Sequence, residues 1–162
     1  MKNHRYGQAG ILTLEQFEEL LQHSTPKYRL LWGICYYTSC RISEALQLTR
    51  SDIIGERIIF RAKTTKDKKT RDIKVSSKLA AILAEYPLPE KGYIFSSDQG
   101  KPHLSRQAAD LQLRKSCDYL GFIGVSTHSF RRNSITALHR QGVPLKFIQN
   151  GINTFDHKAS NP

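Results

Sequence analysis

The alternation of apolar and polar positions changes character several times along this chain. Leu14, Phe17, Leu20 and Leu21 recur at helical spacing, and Thr13 with Gln16 three residues later forms a capping-box pattern, predicting a helix over 13–22. Pro26 suits the first position of a second helix running to about Thr38, whose stretch from Leu30 to Tyr37 is apolar on every side. A shorter helix follows Arg41, with Ile42, Ala45 and Leu46 apolar. The period then drops towards two: Ile58, Ile59 and Phe60 form a β-branched and aromatic run, and Ile73 and Val75 alternate with Asp72 and Lys74. Between those runs lies KTTKDKKT, too charged for a core, so residues 57–75 are expected to form a hairpin with a basic tip. Tyr93, Ile94 and Phe95 are the candidate third strand. Helices are predicted over 77–85, from Ser105 as N-cap to Leu120 with Gly121 as stop, and from Ser129 to Gln141 ended by Gly142. Pro144 is expected to open a last short helix. The expected class is α+β, mainly helical, with a small sheet built around the hairpin.

The expected organisation is a lead-in over 1–12, a domain over 13–149, and a disordered tail over 150–162, where Asn150-Gly151 signals a turn and no helical period follows. At 162 residues one domain is the natural reading. The longest apolar run is far too short to cross a bilayer, and residues 1–10 lack the apolar stretch of a secretory signal, so no membrane role is expected. Cys35, Cys40 and Cys117 contain no Cys-x-x-Cys pair and leave one thiol over in any disulfide scheme. That favours a reducing, cytoplasmic compartment and disfavours a metal site.

Charge changes the picture most. The chain carries a net +11, and residues 56–75, with eight basic and three acidic side chains, and 101–146, with eight and two, own all of the excess. Positive charge concentrated in this way is what a polyphosphate partner requires, and a nucleic acid is the expected one. Neither segment has the aromatic-rich apolar face of a membrane-surface helix.

Three small patterns carry candidate chemistry. Arg41-x-x-Glu44 places a cation and a carboxylate on one helix face, which alone reads as a surface ion pair. His128-x-x-Arg131 alone reads as a solvated helix start. Lys66 and Lys63 in the hairpin tip alone read as a solvated charge run. In order and in context, however, they resemble the tyrosine recombinase (phage integrase) family over about residues 10–149. TSCRISEALQLTRSDI is similar to the family's first arginine box, with its Leu-x-Leu-x-x-x-Asp-Ile patch from Leu46. THSFRRNSITALHRQGVPLKFIQ is similar to the second box, and KTTKDKKTRDIKV to the family's β-hairpin, whose lysine lies five residues before an arginine. Counting back from Arg71 gives Lys66, with Lys63 the alternative.

The resemblance implies the recombinase catalytic-domain fold and DNA strand breakage and rejoining by phosphodiester transesterification, with no metal or other cofactor. It implies that Arg41 and Arg131 clamp the scissile phosphate, that His128 bonds it and assists proton transfer, and that Lys66 protonates the departing 5′-oxygen. Glu44 would be supporting structure. Lys63, Lys68, Lys69, Arg71, Arg106 and Arg132 are the expected DNA contacts around them. Such a chain would be bacterial or phage-derived, with a full-length recombinase or a helper protein as further partner. The family's nucleophile is a tyrosine well downstream of the second arginine, yet the seven tyrosines here, at 6, 28, 36, 37, 86, 93 and 119, all precede Arg131. The family's Gly-His or Gly-Trp falls on Asn153 and Thr154, and His157 lies too late to replace it. The expectation is therefore a truncated catalytic domain, inactive alone, or a DNA-binding regulatory module that occupies recombination sites without cleaving.

Overall fold

The computed structural model describes residues 10–97 and 99–144. The expected lead-in up to residue 9, the helix after Pro144 and the tail over 150–162 lie outside the described residues, as do Asn153, Thr154 and His157.

Six α-helices and a small antiparallel sheet make up the described chain. α1 (Leu14–His23) starts at the Thr13 capping box: Gln16 N–H donates to the threonine hydroxyl, and Thr13 N–H to the Gln16 side chain. α2 (Pro26–Thr38) has proline at its first turn and is buried continuously from Leu30 to Thr38, as a helix apolar on all sides must be. It is the central element, packed against α1, α3 (Ile42–Leu46), α4 (Ser77–Glu85) and α6 (His128–Arg140). α5 (Arg106–Leu120) is capped by Ser105, and Gly121 ends it in the left-handed conformation that glycine adopts without steric cost.

β2 (Arg57–Phe60) and β3 (Arg71–Lys74) pair antiparallel, with Ile58 opposite Ile73, as the hairpin reading requires. The third strand is a different one from that expected. It is β1 (Ile53–Ile54), which pairs with β2, while Tyr93 forms only a single bridge with Thr49. Ile94 and Phe95 are fully buried, so the apolar run that resembled a strand is a core plug in an irregular segment.

One core joins the helices to the buried face of the sheet. Trp32 stacks on Phe130 of α6, and Phe17 of α1 stacks on Tyr36 of α2. Thus α1, α2 and α6, far apart in sequence, share one aromatic cluster. All three cysteines are free and buried. Among the described residues no helix is long and apolar enough to cross a membrane.

Candidate DNA-phosphate site

The site is built on the start of α3. Arg41 is the N-cap residue, with extended backbone, and its N–H donates to Glu44 Oε1 at 2.8 Å. Glu44 is thus no surface partner of the Arg41 side chain: it is 1% exposed, and the same Oε1 accepts from Arg71 Nη2 at 2.9 Å. Arg71 opens β3, and its guanidinium also lies 5.4 Å from the centre of the Phe60 ring. A single buried carboxylate oxygen therefore ties the backbone of Arg41 to the base of the hairpin. Downstream, Asp52 does similar work. It is 4% exposed, accepts from Thr49 N–H and pairs with Arg61 at the end of β2.

The hairpin tip is ordered by a residue hidden inside the charge run. Thr65 is 1% exposed; its hydroxyl accepts from Lys69 N–H at 3.0 Å and lies within hydrogen-bond distance of the Ala62 and Lys69 carbonyls. Thr70 Oγ1 accepts from Ala62 N–H. These bonds close the loop on itself, so the lysines around Thr65 project from a folded arch.

That arch faces α3 and the start of α6 across an open cleft of about 350 Å³. Arg41, Lys63, Lys66, Lys68, Arg106 and His128 supply its charged and imidazole lining. His128 is the first residue of α6, and its Nε2 lies 3.3 Å from Arg106 Nη2 of α5. Arg131, one turn along α6, is not part of this lining; it donates from Nε to the Ser39 carbonyl at 2.9 Å. Burial lowers the pKa of its guanidinium, and the charge of Arg41 lowers it further. An arginine stays cationic under such a shift. Two guanidinium groups held near each other and partly out of water are an arrangement that an anion relieves.

The structure thus gathers Arg41, Lys66, Lys63, Lys68, Arg106 and His128 at one cleft, with Arg131 beside them. Lys66 and Lys63 both border it; Lys63 also borders a second polar cleft with Arg61, Thr49 and Tyr93. Lys69 is exposed on the arch, and Arg132 is half-buried on α6. Arg71, expected among the DNA contacts, instead turns inward to Glu44, its side chain 11% exposed. Nothing in the sequence marks Ser39 or Thr65, because a lone hydroxyl residue carries no pattern that records its contacts. Among the described residues no group of three or more His, Cys, Asp or Glu gathers as metal ligands do.

The profile of the phage integrase family matches residues 11–160. The chain belongs to that family. The match runs past Gln149, where the motif-by-motif resemblance stops. Among relatives of this integrase-family chain, a Sinorhizobium fredii protein named as an integrase/recombinase is 32% identical over 127 residues, covering 76% of this chain and 41% of the relative. A tyrosine recombinase of Thermosipho africanus is 29% identical over 118 residues, covering 72% and 42%. The chain therefore spans less than half the length of these two relatives. The integrase-family fold is also shared with the crystal structure of XerA recombinase, with a TM-score of 0.76 at 20% identity over 94% of this chain and 56% of that one. A lambda integrase dimer bound to a core site is similar at a TM-score of 0.69 and 19% identity, over 88% of this chain and 56% of that one.

Proposed function

We propose that this chain binds duplex DNA as the catalytic domain of a site-specific recombinase, with the scissile phosphate seated at the cleft between the hairpin arch, α3 and α6. One observation carries the reading. Cations and an imidazole from residues 41, 63–68, 106 and 128 converge on one cleft, with Arg131 adjacent. In phosphodiester transesterification a nucleophilic oxygen bonds to phosphorus while the bond to the 5′-oxygen breaks, and negative charge grows on the two non-bridging oxygens. Planar, permanently charged forks answer that charge best, which is the role of Arg41 and Arg131. His128 bonds the phosphate and helps move the proton of the nucleophile. Lys66, with Lys63 as the alternative, gives a proton to the departing 5′-oxygen. Lys63, Lys68, Lys69, Arg106 and Arg132 supply contacts to the surrounding backbone, and Arg71 acts through Glu44. The place of action is the cytoplasm.

A second reading rests on the tyrosines. Among the described residues none borders this cleft; Tyr36 and Tyr37 are packed in the core. The 162 residues then hold a phosphate without forming a covalent phosphotyrosine, and occupy sites that a full-length recombinase or a helper protein acts on.

The test is binding to a DNA duplex followed by fluorescence anisotropy across a salt series. Affinity should fall with a log–log slope of several units, each phosphate contact contributing about −0.9, and Arg41→Ala should shallow the slope by about one contact. An unchanged slope in that variant removes the cleft from the DNA interface. On a denaturing gel, a covalent protein–DNA adduct would decide against the second reading.

A further inference from the structure

Ser39 stands out because its backbone is left-handed, at φ 60° and ψ 24°, immediately after α2. Among the described non-glycine residues only Lys68 shares that region, and an L side chain there is sterically penalised. A strained residue persists where its surroundings hold it, and such residues cluster at functional sites. What holds this one is a closed ring of hydrogen bonds. The Ser39 carbonyl accepts from Arg131 Nε at 2.9 Å, Ser39 Oγ lies 2.6 Å from Ser134 Oγ, and Ser134 Oγ donates to the Arg131 carbonyl at 3.0 Å. A hydroxyl has one proton. Ser134 gives its proton to Arg131, so Ser39 must be the donor in the hydroxyl pair. Ser134 is fully buried, which makes that donation hard to replace with water.

We infer that Ser39 is a positioning residue for Arg131, orienting its guanidinium for the phosphate by holding Nε with its carbonyl and the adjoining turn of α6 with its hydroxyl. This rests on the reading of Arg131 as a phosphate ligand. With Nε committed to Ser39, a bidentate contact must be made by the two Nη groups, so the plane of the fork is set by the Ser39 carbonyl, which the hydroxyl bond to Ser134 holds in place. Burial and the Arg41 charge both disfavour the Arg131 cation where it sits, the Glu44 carboxylate opposes them, and the Ser39 carbonyl gives Nε a hydrogen-bond acceptor. Ser39 also directly precedes the Cys40-Arg41 step, so one turn sets the approach of both arginines.

The experiment compares Ser39→Gly, Ser39→Ala and Arg131→Ala by thermal unfolding and by DNA-duplex anisotropy at several salt concentrations. Glycine relieves the left-handed strain but removes the hydroxyl, two effects that oppose each other in stability, so Ser39→Gly should unfold closer to the wild type than Ser39→Ala while binding DNA roughly fivefold more weakly, the effect of one hydrogen bond. Ser39→Ala keeps the strain and loses the hydroxyl, and should lose both stability and affinity. In the Arg131→Ala background, Ser39→Gly should change affinity no further. Wild-type affinity in Ser39→Gly, or an additive loss in the double variant, overturns the positioning role while leaving the phosphate reading intact. If Arg131→Ala itself binds DNA as the wild type does, the reading of Arg131 as a phosphate ligand falls, and the positioning role with it.

Discussion

Glu44 shows how far a single residue's role departs from what its spacing implies. Three positions after Arg41, it looks like a partner for that side chain, yet it bonds the Arg41 amide and the Arg71 guanidinium through one oxygen. Both members of the Glu44–Arg71 pair are withdrawn from solvent, at 1% and 11% side-chain exposure, so removing one strands the charge of the other. Glu44→Ala should therefore destabilise the fold by about 3–5 kcal/mol in a denaturant titration. Arg71→Ala should cost a comparable amount, and the double variant less than the sum of the two. A loss under about 1 kcal/mol for Glu44→Ala would mark the pair as solvated in practice. Arg41 keeps its side chain for the cleft because Glu44 engages only its backbone.

At the scale of elements, the approach of α2 to α4 depends on Gly33. A Cβ built there meets Ile82 Cδ1 at 3.1 Å and Leu79 Cδ1 at 3.5 Å. The nearer atom is the tip of a flexible side chain, and alanine improves helix propensity by about 1 kcal/mol, so Gly33→Ala should be close to neutral. Gly33→Leu has no room and should cost at least about 1–3 kcal/mol by overpacking, read from the denaturation midpoint. A Gly33→Leu protein with the wild-type midpoint would show that the two helices separate freely. The hairpin makes the complementary point. Its strands were evident from β-branched alternation, but its arch is shaped by Thr65, whose burial comes from bonds to the loop's own backbone.

Over the whole molecule, several acidic protons are locked into the core. Burial pushes the Tyr37 hydroxyl up to about 12, with Tyr36 adding to it, and the Cys117 thiol up to about 11, with Asp118 adding to it. Both groups hold their protons more tightly folded than unfolded, so the native state binds more protons at alkaline pH and stability falls as pH rises. The contribution is complete below the unfolded values, 9.0 for the thiol and 10.0 for the phenol, and is lost as pH climbs through about 11 and about 12. The urea midpoint should be level near pH 8 and decline from about pH 9 upward. Cys117→Ala should flatten the first part of that decline. A level midpoint to pH 11 would mean that water reaches these groups in the folded state.

The sequence by itself determined the helices, their caps and the β2–β3 pairing, because these depend on periods and on partners within a few residues: Thr13 with Gln16, Ser105 ahead of α5, Gly121 after it. It also marked Arg41, Lys63, Lys66, His128 and Arg131, since residue type and order suffice for a motif. The identity of the third strand was decided by the tertiary structure, because apolar runs of two or three residues read alike as strand or core plug until a neighbouring edge selects one. So were the inward turn of Arg71, the burial of Thr65 and the link from Ser39 to Arg131. Each of these rests on a hydrogen bond or a loss of solvent that exists only once segments distant along the chain are packed together, and residue spacing carries no record of it.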